Sequence, residues 1–78
     1  MSGNIWMPDR AQILDIQPQN GSIEMWVLVD PSAQPRNRRI GVYGTGWIID
    51  SDMKETKYIC TIQMPDGLVF HFFDEGYR

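Results

Sequence analysis

The chain has 78 residues, a net charge of −3 and a single cysteine. That length limits it to one domain, residues 1–78, able to bury only about 60 to 65% of its unfolded surface. Cys60 alone provides neither a disulfide nor a zinc framework, and the acidic balance argues against direct nucleic-acid binding, which needs a basic surface.

The opening Met1-Ser2-Gly3-Asn4 lacks the charged and apolar regions of a signal peptide. The longest apolar run, Met25-Trp26-Val27-Leu28-Val29, falls far short of the ~20 residues that span a bilayer. The expectation is a cytoplasmic protein with no membrane partner. Asn20-Gly21 lies between apolar runs at 11–19 and 22–30 and suits the positive φ angles of a type I′ hairpin turn. Counting outward pairs Gln19 with Ser22, Ile16 with Met25, Asp15 with Trp26 and Leu14 with Val27. Alternation then turns Leu14, Ile16, Pro18, Ile23, Met25, Val27 and Val29 toward a core. The reverse carries Asp15, Gln17, Gln19, Ser22 and Glu24, but also Ile13, Trp26 and Leu28. Those three apolar groups require a cover, supplied either by Trp6 or Trp47 or by a partner.

Asp30-Pro31 ends the second strand, 31–37 reads as a polar loop, and Arg36, Arg38 and Arg39 read as solvated loop charges. Residues 39–45 alternate as a middle strand, with Ile40 and Val42 on one side and Tyr43 on the other. The stretch 44–56 is irregular, with a helical turn expected over 51–56. Asp66-Gly67 marks a second two-residue turn, which pairs Met64 with Val69, Ile62 with His71 and Cys60 with Phe73. Its core face would hold Tyr58, Cys60, Ile62, Met64, Val69, His71 and Phe73, leaving Ile59, Phe70 and Phe72 on the wet side. The predicted fold is all-β: a small five-stranded antiparallel sheet, two hairpins flanking a middle strand, curled into a barrel or folded as a two-layer sandwich.

Several segments together carry a resemblance: Met7-Pro8 with Ala11, Ile13 and Leu14; Gln17 and Gln19-Asn20-Gly21; Trp26 through Pro31; an arginine before Ile40; Tyr43-Gly44-Thr45-Gly46; Tyr58-Ile59 with Thr61 and Gln63; and Gly67-Leu68-Val69-Phe70-His71 with Phe73. Over nearly the whole chain these residues resemble a small uncharacterised family of bacteriophage and prophage proteins, a domain of unknown function. Relatives usually carry an extra N-terminal strand and linker between Ile-Trp and Met-Pro. Here Ile5-Trp6 runs directly into Met7-Pro8, so the resemblance implies a shortened N-terminus. It also implies a mobile-element origin and no assigned activity.

No catalytic set is evident. Gly44-Thr45-Gly46 lacks the lysine or helix start of a phosphate loop and reads as a bend. His71 would share a face with Cys60, but no oxyanion donors or third member accompany them, and a core histidine is the simpler reading. Asp50, Asp52 and Glu55 lack calcium-loop spacing. No metal, cofactor or enzymatic activity is therefore expected. What remains is a surface for binding. Trp26 and Trp47 supply aromatic anchors, and Asp50, Asp52, Glu55, Asp74 and Glu75 an acidic patch suited to a basic channel in a nucleic-acid-handling protein.

The expected function is a phage or prophage protein that binds a host antiviral defence component and blocks it, anti-CRISPR-like, without catalysis. A second reading is a binder of a nucleotide signal, with arginines for phosphate and a tryptophan for the base. A third is a self-associating structural or accessory part of a phage, for which a second copy of the chain, as a homodimer, is the partner.

Overall fold

Asn20 and Gly21 both adopt positive φ, 50° and 82°, as the type I′ turn requires. The computed structural model describes residues 2–47 and 56–78; the helical turn expected over 51–56 lies outside them apart from Thr56. Among the described residues there are six strands and no helix: β1 (Ser2–Pro8), β2 (Gln12–Gln19), β3 (Ser22–Leu28), β4 (Pro35–Gly44), β5 (Lys57–Gln63) and β6 (Val69–Tyr77). They form a four-stranded antiparallel sheet in the order β1-β4-β6-β5 and a separate two-stranded sheet, β2-β3. The fold is all-β, but with six strands rather than the expected five, and the sheet does not close into a barrel.

The additional strand is β1. Ser2-Gly3-Asn4 are weak strand formers, yet the segment runs antiparallel along β4 from Ser2 opposite Gly41 to Pro8 opposite Pro35. β4 begins earlier than the middle strand expected at 39–45, because 35–37, read as loop, and Arg38 join the ladder with β1.

The hairpin lies against one face of the larger sheet. Ile16 from β2 meets Ile40, Ile62 and Phe72, and this buried quartet is flanked by Ile13, Met25, Val42, Cys60 and Phe70. Each fully buried side chain of this kind contributes roughly 1.5 to 3 kcal/mol. The Cys60 thiol also donates to the Ile16 carbonyl at 3.3 Å, linking β5 to β2.

Two register details correct the expected faces. In the first hairpin the pairs Ile16 with Met25 and Asp15 with Trp26 form as counted, but Ile13, not Leu14, opposes Val27. The extra residue, Leu14, bulges out and is exposed, while Ile13 turns to the core. In the second hairpin Met64 and Leu68 close the loop through Met64 N–H to the Leu68 carbonyl (2.7 Å) and Gly67 N–H to the Met64 carbonyl (3.0 Å). The loop is thus three residues, Pro65-Asp66-Gly67, with Gly67 at φ 90°. One added loop residue slips the pairing by one and exchanges faces. Ile62 opposes Phe70 and Cys60 opposes Phe72, so both phenylalanines are core, whereas His71 and Phe73 face the opposite side with Thr61 and Tyr58.

That opposite side has its own order. Tyr43 on β4, Phe73 on β6 and Tyr58 on β5 form an aromatic row, with edge-to-face contacts of 5.8 Å and 5.7 Å between ring centroids.

Candidate functional site

Among the described residues β3 has β2 as its only ladder partner, so its far edge presents backbone N–H and C=O groups that no described strand receives. Natural edges are commonly blunted by lysine or proline. β3 reads Ser-Ile-Glu-Met-Trp-Val-Leu, and its single charge is Glu24. Half of the large apolar side chains exposed among the described residues lie on or beside this hairpin: Leu14, Ile23, Trp26, Leu28 and Val29. Gln12 faces Leu28 and Asp15 faces Trp26, while Leu14 bulges out between Ile13 and Asp15, so all of these but Ile23, which lies near the turn opposite Pro18, gather at the end away from the turn.

The cover expected from Trp6 or Trp47 does not form. Trp6 sits on β1 opposite Asn37 and is 68% exposed. The Trp47 indole folds back over Gly44, so closely that a Cβ there would come within 2.7 Å of it. Trp26 and Leu28 remain 43% and 60% exposed.

The acidic residues divide differently. Asp50, Asp52 and Glu55 lie outside the described residues. Asp74 and Glu75, adjacent on β6, project to opposite faces, and neither presents a free charge. The Arg38 guanidinium forks onto Asp74, with its Nε donating to Oδ1 at 2.8 Å and an Nη to Oδ2, while its other Nη donates to the Ala11 carbonyl at 2.9 Å. Arg38 is thus a buried residue and not the solvated charge expected. Burial pushes the Asp74 carboxyl up, but hydrogen bonds from Arg38 and the Gly76 N–H, with the Arg38 and Lys57 charges, hold it below its ordinary value. Glu75 is 1% exposed. It accepts from the Ser2 hydroxyl (2.6 Å), the Tyr43 hydroxyl (3.2 Å) and Arg39 Nε (3.3 Å), which ties β1 and β4 to β6.

Cys60 and His71 are on opposite faces. Burial pushes the Cys60 thiol up, away from nucleophilic character. The two ring nitrogens of His71 are bonded to the Thr45 and Thr61 hydroxyls, both at 2.9 Å, and Thr61 is bonded in turn to the Tyr58 hydroxyl at 2.7 Å. Gly44-Thr45-Gly46 forms a turn closed by Trp47 N–H to the Gly44 carbonyl at 3.0 Å.

A family model described as a domain of unknown function, DUF7352, matches residues 2–77. The chain belongs to the DUF7352 family. No curated protein and no solved structure matches it.

The DUF7352 domain also has a groove of about 390 Å³ where the start of β2 meets β4 and β6. Arg10, Arg38, Lys57 and Asp74 line it, and it continues past Ile13, Leu14, Tyr58 and Ile59. No sequence signal gathers these residues, since Arg38 and Asp74 are 36 positions apart and Arg10 lies in a turn whose position depends on β1. The described residues of the DUF7352 domain include no group of three histidine, cysteine, aspartate or glutamate side chains arranged to hold a metal, and no helix long and apolar enough to cross a membrane.

Proposed function

We propose that this domain is a non-enzymatic binding protein of phage or prophage origin, acting in the host cytoplasm by gripping and blocking a nucleic-acid-handling protein of antiviral defence, in the manner of an anti-CRISPR inhibitor. One observation carries the binding part of this reading: β3 combines an edge open among the described residues with exposed Trp26 and Leu28 and has no lysine or proline to repel a partner. A partner strand adding to that edge gains main-chain hydrogen bonds, while the tryptophan and leucine enter pockets that set specificity. The phage origin rests on the sequence resemblance, and the choice of a defence target is an inference from that mobile-element context, which the resemblance itself does not state. The negative net charge supports steering toward a basic channel.

The test is a plaque assay in paired bacterial hosts with and without a defence system. Expression of the wild-type domain should restore phage growth only in the defended host, and a Trp26→Lys, Leu28→Lys double variant should not. Equal plaquing with and without the domain across a panel of defence systems would remove the counter-defence reading.

A further inference from the structure

We propose that β1 is exchanged between two copies of the chain: it leaves its own β4, Asp9-Arg10-Ala11 straightens into a direct connection to β2, and the strand adds to β4 of the second copy. The receiving surface already exists, because within one molecule β4 pairs with this same strand from Ser2 opposite Gly41 to Pro8 opposite Pro35. Exchange of an identical element between protomers is an easy route to a dimer. The hinge decides whether the chain takes it.

That hinge is short and strained. β1 belongs to the four-stranded sheet and β2 to the hairpin, so the residues between Pro8 and Gln12 must turn the chain from one layer to the other. Arg10 does so at φ 61°, a left-handed conformation that side chains other than Asn, Asp or His rarely adopt. Straightening returns it to ordinary backbone, and short connections under strain favour exchange. The strand is also lightly held. Met7 is its one buried residue, Gly3, Asn4, Ile5 and Trp6 are exposed, and among the described residues β4 is its single ladder partner.

The hydrogen bonds around the hinge divide cleanly between its two sides. On the β1 side, the Ser2 hydroxyl donates to Glu75 at 2.6 Å, Asp9 N–H to the Gln34 carbonyl at 2.8 Å, Arg36 to Asp9 at 3.0 Å and the Tyr77 hydroxyl to the Pro8 carbonyl. A second copy offers every one of these partners. On the β2 side, Ala11 N–H donates to the Tyr77 hydroxyl and Arg38 to the Ala11 carbonyl, both at 2.9 Å, and these stay within the chain. The bond given up is Ala11 N–H to the Pro8 carbonyl at 3.2 Å, and its donor keeps Tyr77. Exchange also sets two hinge ends side by side. Each carries Arg10, Arg36, Arg38 and Lys57 against Asp9 and Asp74, so their repulsion opposes the dimer at low salt and fades as salt screens it. The β3 edge takes no part.

The test refolds the full chain from denaturant at high protein concentration, so that β1 can dock on either copy, and separates monomer from dimer by sedimentation across a salt series. Wild type should yield a dimer, in greater proportion as salt rises. Arg10→Gly, which holds a left-handed backbone freely, should raise the dissociation constant at least about tenfold, because the dimer relieves strain at two hinges. Arg10→Pro, whose fixed φ forbids the closed turn, should shift the chain toward the dimer. A Trp6→Cys, Asn37→Cys, Cys60→Ala variant reads the exchange directly, since residues 6 and 37 face each other across β1 and β4. Its oxidised dimer should run as two joined chains in denaturing electrophoresis without reductant, and its oxidised monomer as one. Trp26→Lys with Leu28→Lys should leave this dimer intact. Wild type refolding only as monomer across the series, an Arg10→Gly dimer as tight as wild type, a dimer whose disulfides stay within single chains, or a dimer lost with the β3 substitutions would each overturn the inference.

Discussion

Arg38 and Asp74 show how a polar residue becomes structural once its partner is in place. The pair sits between β4 and β6 with side chains only 11% and 14% exposed, and Arg38 reaches across to the Ala11 carbonyl at the start of β2. Removing one member strands the other, which in buried pairs costs about 3 kcal/mol or more; Asp74→Asn should lower the unfolding free energy by about 2 kcal/mol at pH 7, since the amide keeps part of the hydrogen bonding. The sign of the pH effect follows from the lowered Asp74 value. The fold binds the ionised carboxylate preferentially, so its contribution is complete above the ordinary value of 3.8 and is lost as the pH falls below that through the folded value. Urea unfolding of wild type and Asp74→Asn, repeated from neutral pH down to about pH 2, should show the two curves converging in acid. In the sequence Arg38 looks like one of several loop charges, because nothing local announces a partner 36 positions away.

Gly41 is a second residue of this kind. A Cβ there would lie 2.7 Å from the Tyr43 ring and 3.0 Å from the Glu75 carboxyl, so both buried groups rest on bare backbone. Gly41→Ala should destabilise by about 1 to 3 kcal/mol and disturb the Tyr43–Phe73 contact. Near-ultraviolet circular dichroism and chemical unfolding would register the two effects together.

At the level of elements, the two turns carry different information. Asn20-Gly21 was legible because both residues accept positive φ and no neighbour competes. Gly21→Ala should cost about 1 kcal/mol in thermal unfolding, since Gly21 holds φ 82° and a Cβ there meets nothing else. Asp66-Gly67 looks equivalent, yet Pro65 enlarges the loop to three residues. Proline's fixed φ suits the first corner of a type I turn, Asp66 follows, and Gly67 supplies the left-handed residue that restores the ladder. Pro65 was the available signal, and missing it reverses the faces of β6, while Cys60 and Ile62 from β5, with Met64 just beyond, keep the core face expected of them. The Leu14 bulge had no such signal, because Ile13 and Leu14 are both apolar and alternation cannot choose between them. β1 was hidden for another reason: Ser2-Gly3-Asn4 form a strand only because β4 offers a ladder and Glu75 anchors Ser2.

For the whole molecule, one layer is complete and the other is not. The four-stranded sheet buries Ile40, Ile62 and Phe72 beneath the hairpin and stacks an aromatic row on its reverse, whereas the hairpin has a covered inner face and, among the described residues, an open β3 edge. Two-stranded sheets gain stability from further strands, and a partner that adds one would stabilise the hairpin while being bound by it. Trp26 was readable in advance as an aromatic residue on the polar face opposite Asp15, where the structure leaves it exposed. That the edge beside it stays open depends on strand order, which periodicity does not encode. Trp26→Lys with Leu28→Lys should shift the midpoint of thermal unfolding by no more than a few degrees, because both side chains are already exposed. A second copy on the β3 edge would instead appear as a concentration-dependent dimer in sedimentation, abolished by the same substitutions.

Affinity purification from a defence-positive bacterial host, with the wild-type domain and the Trp26→Lys, Leu28→Lys variant run side by side, tests the central claim most directly. The account predicts one host protein recovered in near-stoichiometric amount with wild type and lost with the variant, and β3 amides protected from hydrogen exchange in the purified complex. Recovery of the same protein by both forms, or a complex in which β3 exchanges as freely as in the isolated domain, would contradict it.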